Sequence, residues 1–317
     1  MKLSLVVPCY NEAENIDLFY EKVEDTFKNQ GFDYEYIFIN DGSKDQTYNK
    51  LKELSQKHAS SNITIINFSR NFGKESAMYA GLKESVGNYT VIIDADLQQD
   101  PVYVLTMMQI LNNDETIDSV AAFQKKRHEG KLIRMFKSAF YHLINKVSQV
   151  EFVDGASDFR LLRRSMVDSI VALPENNRFS KGIFSWVGFR TYYMAYDVHD
   201  RENGESSWSF WKLFKYAIEG FVSFTTAPLR IATILGVLCS ILSLIYFIIV
   251  FLKKIIIGIT IPGYTTITCL ILLIGGMQMF CVGIIGEYLA RTYLETKHRP
   301  IYVEKNKIDY KLHNDNT

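Results

Sequence analysis

Apolar and polar positions along the first third of the chain recur with two different periods. Residues 3–7 form a continuous apolar run of strand length, and residues 12–30 then carry Ile16, Phe19, Tyr20, Val23 and Phe27 on one helical face. Residues 34–40 are a second strand-like run, and 45–58 hold Tyr48, Leu51 and Leu54 in helical register. Residues 63–68, 74–85 and 89–94 repeat the order strand, helix, strand. This alternation predicts an α/β domain with a mostly parallel sheet and helices on both faces. Residues 126–150 are basic and amphipathic, which fits a membrane-facing helix, a subunit contact or a solvated helix.

The pattern changes near the end. Residues 231–252 and 265–286 hold no charge at all. Each run is about 22 residues, enough to cross a hydrocarbon core of about 30 Å. One such run also suits a buried core helix; two of them, joined by a short loop, predict a two-span hairpin with both flanks on one side. The loop carries only Lys253 and Lys254, whereas Lys212, Lys215, Arg230, Arg291, Lys297, Arg299 and Lys305 lie on the flanks. The positive-inside bias then puts the N-terminal domain and the tail on the cytoplasmic side of a multi-pass inner-membrane protein. Aromatic and lysine residues alternate at helical spacing from 210 to 218, as in a helix lying in the membrane interface or an ordinary packing helix. The expected division is a cytoplasmic domain at 1–209, an interfacial helix at 210–230, the hairpin at 231–286 and a cytoplasmic tail at 287–317.

Composition narrows the function classes. The 317 residues are 48% hydrophobic and 22% charged, which excludes a disordered chain. Basic and acidic residues balance at 35 each, so the basic excess of a nucleic-acid binder is missing. Cys9, Cys239, Cys269 and Cys281 form no CxxC pair and read as buried thiols in a reducing compartment. The apolar run at the N-terminus is too short for a secretory signal, so the first domain is expected in the cytosol.

Candidate chemistry collects at the predicted strand ends. The first strand runs into Pro8-Cys9-Tyr10-Asn11-Glu12, the second into Asn40-Asp41-Gly42-Ser43, and the fourth into Asp94-Ala95-Asp96-Leu97-Gln98. In open α/β sheets ligands bind beyond the carboxyl ends of the strands, so three such loops converge on one edge. Asp94 and Asp96 offer hard oxygen ligands of the kind that Mg²⁺ or Mn²⁺ takes while bridging a diphosphate.

The segments VVPCYNE, NDGSKDQT, DADLQQDP, SDFRLL and RENGES, in this order, resemble the inverting family 2 glycosyltransferases with a GT-A-type fold. With the hairpin and the following GEYLARTYLETKHRPIY, the chain is similar to bacterial polyprenyl-phosphate (bactoprenol) glycosyltransferases, relatives of dolichol-phosphate mannose synthase. The resemblance reaches to about Val303. It implies transfer of a hexose from a nucleotide-sugar, UDP-glucose or UDP-N-acetylglucosamine before GDP-mannose, to polyprenyl phosphate in the bilayer for cell-envelope polymer glycosylation. It implies a Mg²⁺ or Mn²⁺ cofactor and a homotetramer. Pro8, Tyr10, Glu12, Ile39 and Asp41 are then expected around the nucleobase and ribose. Asp94, Ala95, Asp96 and Gln98 fall at the metal and diphosphate, with Asp94, Asp96 and Gln98 as metal ligands. Arg201 matches a phosphate-binding arginine and Asp158 a carboxylate near the acceptor, either a base or an orienting group, with a plain ion pair to Arg160 or Arg163 as its structural alternative. Two positions depart from the family pattern: Gln124 stands where arginine is frequent and Ser207 where lysine is. Lys125, Lys126, Arg127 and Arg178 are the candidates for the missing charge. A processive polysaccharide synthase fits less well, because no QxxRW-like motif precedes Trp186. A non-catalytic nucleotide-sugar-binding scaffold and a synthase with another acceptor are the remaining alternatives.

Overall fold

The first apolar run lies within strand β1 (Lys2–Cys9), whose Leu3, Leu5, Val6 and Val7 are completely buried because helices cover both faces of the sheet. The computed structural model describes residues 1–124, 145, 153, 155–173, 175–176, 178–196, 227–257 and 263–310. The chain divides into two compact units, Met1–Leu213 with Pro300–Thr317, and Phe214–Arg299. The basic stretch at 126–150 (Asn145 apart) and most of the 210–230 segment lie outside the described residues.

After β1 the first unit continues with α1 (Ile16–Phe27), β2 (Asp33–Asn40), α2 (Thr47–Lys57), β3 (Ile63–Phe68), α3 (Lys74–Glu84), β4 (Tyr89–Ile92) and α4 (Val102–Asn113). Then come β5 (Ser119–Gln124), β6 (Ala156–Arg163), α5 (Arg164–Val171), α6 (Ser180–Trp186) and β7 (Thr191–Tyr196). Two long helices of the second unit follow, α7 (Ala227–Ile257) and α8 (Tyr264–Thr296), before the chain returns to the first unit as β8 (Glu304–Tyr310).

One sheet of eight strands runs in the order β7-β5-β6-β4-β1-β2-β3-β8. Its centre, β4-β1-β2-β3, is parallel throughout, as the alternation predicts. The antiparallel pairings lie outside that centre, β6 against β4 and β5, and β8 against β3. On one face Leu3, Leu5 and Val7 pack with Phe19, Val23 and Phe27 of α1 and with Met107 and Leu111 of α4. On the other face α3 lies so close that a Cβ added to Gly81 would collide with Val6 and Ile39.

Several boundaries differ from the sequence reading by one to four residues, and two of them have a visible local reason. Helix α1 starts at Ile16 rather than near 12, because Asn11 is left-handed (φ 57°) and the Glu12 amide donates to Thr47 Oγ1 (2.8 Å). Strand β4 ends at Ile92 rather than 94, because the Asp94 amide turns to Gln99 Oε1 (2.9 Å) instead of a neighbouring strand.

In the second unit α7 and α8 run antiparallel. Cys281 Sγ faces Ala232 O (3.7 Å) and Cys239 Sγ faces Met277 Sδ (2.8 Å). Within α8, Leu273–Thr296 is long and apolar enough to cross a membrane; the described apolar stretch of α7, Ile231–Tyr246, is shorter. Ile234, Leu242, Leu273 and Phe280 stand exposed on these helices.

Candidate functional site

The C-terminal ends of β1, β2 and β4 carry the three polar loops, and hydrogen bonds join the first two. The Asn11 amide donates to Ser43 Oγ (3.0 Å), and the Lys44 amide returns a bond to Asn11 Oδ1 (2.9 Å). Asp45 accepts from the Ala13 amide (3.3 Å) and from both the amide and hydroxyl of Thr47 (3.0 and 2.6 Å). Tyr10 is 42% exposed beside this seam, and the Glu12 carboxylate accepts from Asn15 Nδ2 (2.6 Å). Pro8, at the end of β1, is half-buried. Ile39 is fully buried against Gly81, so only its main chain faces the strand end.

Asp41 is 3% exposed and clamps the next loop: its carboxylate accepts from the amides of Phe72 (2.6 Å) and Gly73 (2.9 Å). Burial holds its carboxyl above the usual carboxylate range, and those two amides and Arg70 offset only part of that rise. Gly42 beside it has φ 61°, and a Cβ there would strike the backbone of Arg70. Glycine is thus required twice over, for the left-handed turn and for the close approach. The clamp fixes the start of α3 and hence the position of Lys74.

Lys74 is the residue that sequence reasoning missed. Its ammonium lies 2.7 Å from Asp94 Oδ1 and 2.8 Å from Asp94 Oδ2, and 3.5 Å from Asp158 Oδ2. Asp94 follows β4 and Asp158 lies in β6; the pairing of Ile92 with Arg160 brings the two carboxylates to one edge. Burial works against the charged form of Lys74, yet Asp94 and Asp158 outweigh it and hold the amine above the usual lysine range. Asp158 is held below the usual carboxylate range although burial opposes this, because Lys74, Lys181 and Arg160 surround it. It is therefore a carboxylate at neutral pH. The Arg160 guanidinium lies 3.7 Å from the Phe184 ring centroid, and burial lowers it to about 10. Arg163, the other expected partner, faces Ile117 O (2.8 Å), Leu111 O (2.5 Å) and Tyr89 at the opposite end of the strand.

The expected metal ligands sit in one tight loop. Gln99 Nε2 donates to Asp94 Oδ2 (3.0 Å), Asp96 Oδ1 accepts from the Gln98 amide (3.2 Å), and Leu97 takes φ 60° between them. Ala95 is buried and supplies only main chain. Among the described residues no group of three His, Cys, Asp or Glu is arranged to hold an ion unaided. The donors present, two carboxylates and one amide, are hard oxygens, and Asp94 already attracts an ammonium. This set would suit a divalent ion that took further oxygen ligands from outside the protein.

Two further expectations meet the structure. Arg178 does not serve as a spare phosphate ligand: it donates to Leu173 O (2.8 Å) and Ile170 O (3.2 Å) at the end of α5 and lies over Tyr79. Cys9 is buried, with its thiol pushed up by burial and by Glu12, Asp94 and Asp45, as a structural cysteine should be. Arg201, Ser207, Lys125, Lys126 and Arg127 lie outside the described residues, as does the side chain of Gln124.

Comparison with known proteins matches residues 4–171 to the model for glycosyl transferase family 2. The chain belongs to that family. This glycosyltransferase also matches the GtrB C-terminal hairpin model over residues 227–292. The expected GT-A-type α/β fold with a mostly parallel sheet therefore stands. The glycosyltransferase is 43% identical over 303 residues to a putative glycosyltransferase, CsbB, of Bacillus subtilis (strain 168), covering 96% of this chain and 91% of the relative. It is 40% identical over 306 residues to a prophage bactoprenol glucosyl transferase homolog of Escherichia coli (strain K12), covering 96% and 99%. The bactoprenol glucosyl transferase of Shigella phage SfV is 39% identical, covering 96% and 99%. Among solved structures, a mannosyltransferase from Pyrobaculum calidifontis in complex with GDP-Man and Mn2+ is 14% identical, covering 92% of this chain and 86% of its own, with a TM-score of 0.44.

Proposed function

We propose that this glycosyltransferase moves a hexose, glucose first among donors, from a UDP-sugar to polyprenyl phosphate at the cytoplasmic face of a membrane, inverting the anomeric carbon. The observation that carries the reading is the pair of carboxylates, Asp94 and Asp158, facing the Lys74 ammonium at the strand ends. Relatives named as bactoprenol glucosyl transferases, similar over nearly their whole length, support the acceptor. The helices α7 and α8 support a membrane hairpin spanning 231–252 and 265–286. Both ends of that hairpin rejoin the same folded unit along the chain, which agrees with an even number of crossings.

In this reading Pro8, Tyr10, Glu12, Asp41 and the main chain at Ile39 receive the nucleobase and ribose. Asp94, Asp96 and Gln98 would hold Mg²⁺ or Mn²⁺, which would supply positive charge against a departing diphosphate. Arg201 adds positive charge to that diphosphate, as the family resemblance assigns. A lipid-phosphate oxygen forms the new bond to the anomeric carbon while the bond to the UDP oxygen breaks, and UDP leaves with the electron pair. The second pKa of a phosphate monoester is about 6, so the acceptor is largely dianionic at pH 7 and loses no proton in the step. Asp158, already ionised, orients Lys74 and a sugar hydroxyl rather than taking a proton.

Incubation with labelled UDP-sugars, polyprenyl phosphate and Mn²⁺ should leave label in organic-extractable lipid. Asp96→Ala should abolish that transfer, and Asp158→Asn should reduce it without the loss of orders of magnitude expected of a true base. A blank with every donor, GDP-mannose included, would sink the reading.

A further inference from the structure

The strand that follows the hairpin does more than close the edge of the sheet. Asn40 of β2, Asn67 of β3 and Asn306 of β8 stand at paired register positions, one from each strand. Their amides join head to tail: Asn40 Nδ2 donates to Asn67 Oδ1 (2.7 Å), and Asn67 Nδ2 donates to Asn306 Oδ1 (2.8 Å). Asn306 Nδ2 donates in turn to Tyr48 OH of α2. At the other end Asn40 Oδ1 accepts from the Ser43 amide (3.4 Å), and Ser43 Oγ is the group that binds the Asn11 amide (3.0 Å). Asn40 and Asn67 are buried, so each amide left unmatched would cost about 1–3 kcal/mol. A complete polar row specifies one arrangement, where apolar side chains would tolerate several.

The same segment grips the neighbouring loop. Val303 O accepts from the Ser69 amide (2.9 Å), and the Tyr302 ring stacks on Phe68 with centroids 4.8 Å apart and planes at 18°. Phe72 meets the other side of this cluster, edge-on to Phe68 at 5.7 Å. The Phe72 amide binds Asp41, and two residues later comes Lys74. Residues 302–306 thus reach two loops at the strand ends: 40–43 through the amide row, and 69–74 through the rings.

We infer that the returning segment, through Asn306 and Tyr302, is a positioning element of the donor site: its docking holds both loops in the form that takes a nucleoside diphosphate. The inference rests on the reading that these loops bind the donor. Breaking the amide row at Asn306 weakens donor binding and leaves the rate at saturating donor and the KM for lipid phosphate nearly unchanged, whereas loosening the rings at Tyr302 also lowers that rate through Lys74.

The test uses full-length protein and UDP with Mn²⁺ as the probe, read by titration calorimetry, with steady-state kinetics alongside. Asn306→Ala should weaken UDP about tenfold, the size of one lost buried hydrogen bond, while kcat stays within about twofold. Asn306→Asp keeps an oxygen for Asn67 and should restore most of the affinity. Asp309→Ala removes the bond from Thr64 Oγ1 (2.9 Å) on the same strand but away from the row, and should bind UDP like the parent. Tyr302→Leu reads the second loop, should also weaken UDP, and replaces Asn306→Ala should that variant not fold. Equal UDP affinity in the parent and in the folded Asn306 and Tyr302 variants would overturn the inference alone, as would an equal loss in Asp309→Ala. A parent protein that binds neither UDP nor GDP overturns the donor-site reading and the inference with it.

Discussion

Lys74 opens α3, where the positive end of the helix dipole disfavours a cation. Two carboxylates on neighbouring strands keep it there. Lys74→Met leaves Asp94 and Asp158 facing each other and the incoming phosphates uncompensated. We expect turnover to fall about 10²-fold, with Lys74→Arg recovering part of it, in the lipid-transfer assay. The next residue, Glu75, gives a pH prediction. Its carboxylate accepts from the Ser180 amide (2.8 Å) and hydroxyl, yet burial first, and the nearby Asp158 charge second, lift it from 4.5 to about 7. The folded state therefore holds this proton more tightly than the unfolded chain does. Its contribution to stability is complete below pH 4.5 and is lost as pH rises through about 7. The thermal midpoint should fall across that window in the parent and less in Glu75→Gln. Asp94, Asp96 and Asp158 were picked out as candidates in the sequence because their motifs are local. Lys74 was not, since its meaning comes from two carboxylates that only strand pairing brings to it; a lysine directly after Gly73, a few residues beyond a strand end, was the one available sign.

The central elements could be read from hydrophobic periodicity because β1 to β4 are parallel, buried and separated by helices. The flanking strands could not. Strand β6 is antiparallel, and β8 reads EKNKIDY, a polar pattern that passes for a tail because its exposed face lies on the sheet edge. Where α3 meets the sheet, Gly81 leaves no room for a side chain. Gly81→Val should destabilise the first unit by about 1–3 kcal/mol through overpacking against Val6 and Ile39, measured as a shift in denaturant midpoint. The capping of β4 by Gln99 leads to a milder expectation. Gln99→Ala frees the Asp94 amide and carboxylate from their bonds at 2.9 and 3.0 Å and should weaken Mn²⁺–UDP binding more than it lowers stability.

Across the whole molecule, the apolar helix pair interrupts a sheet that is finished only afterwards. If the hairpin crosses the membrane twice, protease added to inverted membrane vesicles should cut both the first unit and the C-terminal segment, and neither should be cut in right-side-out vesicles. An arginine at Phe280, a position 57% exposed on α8, should cost about 2.5–3.5 kcal/mol of insertion and increase alkaline extraction from membranes. The late strand also sets a timetable for synthesis. Thr64 bonds to Asp309 across 245 residues of chain, so the outer edge of β3 stays unpaired until almost the entire polypeptide has left the ribosome. Pairings that distant are slow, and an open strand edge invites foreign strands. If the hairpin inserts into a membrane, a nascent chain of this protein is most open to aggregation during that insertion, and prompt insertion guards the first unit as much as the helix pair.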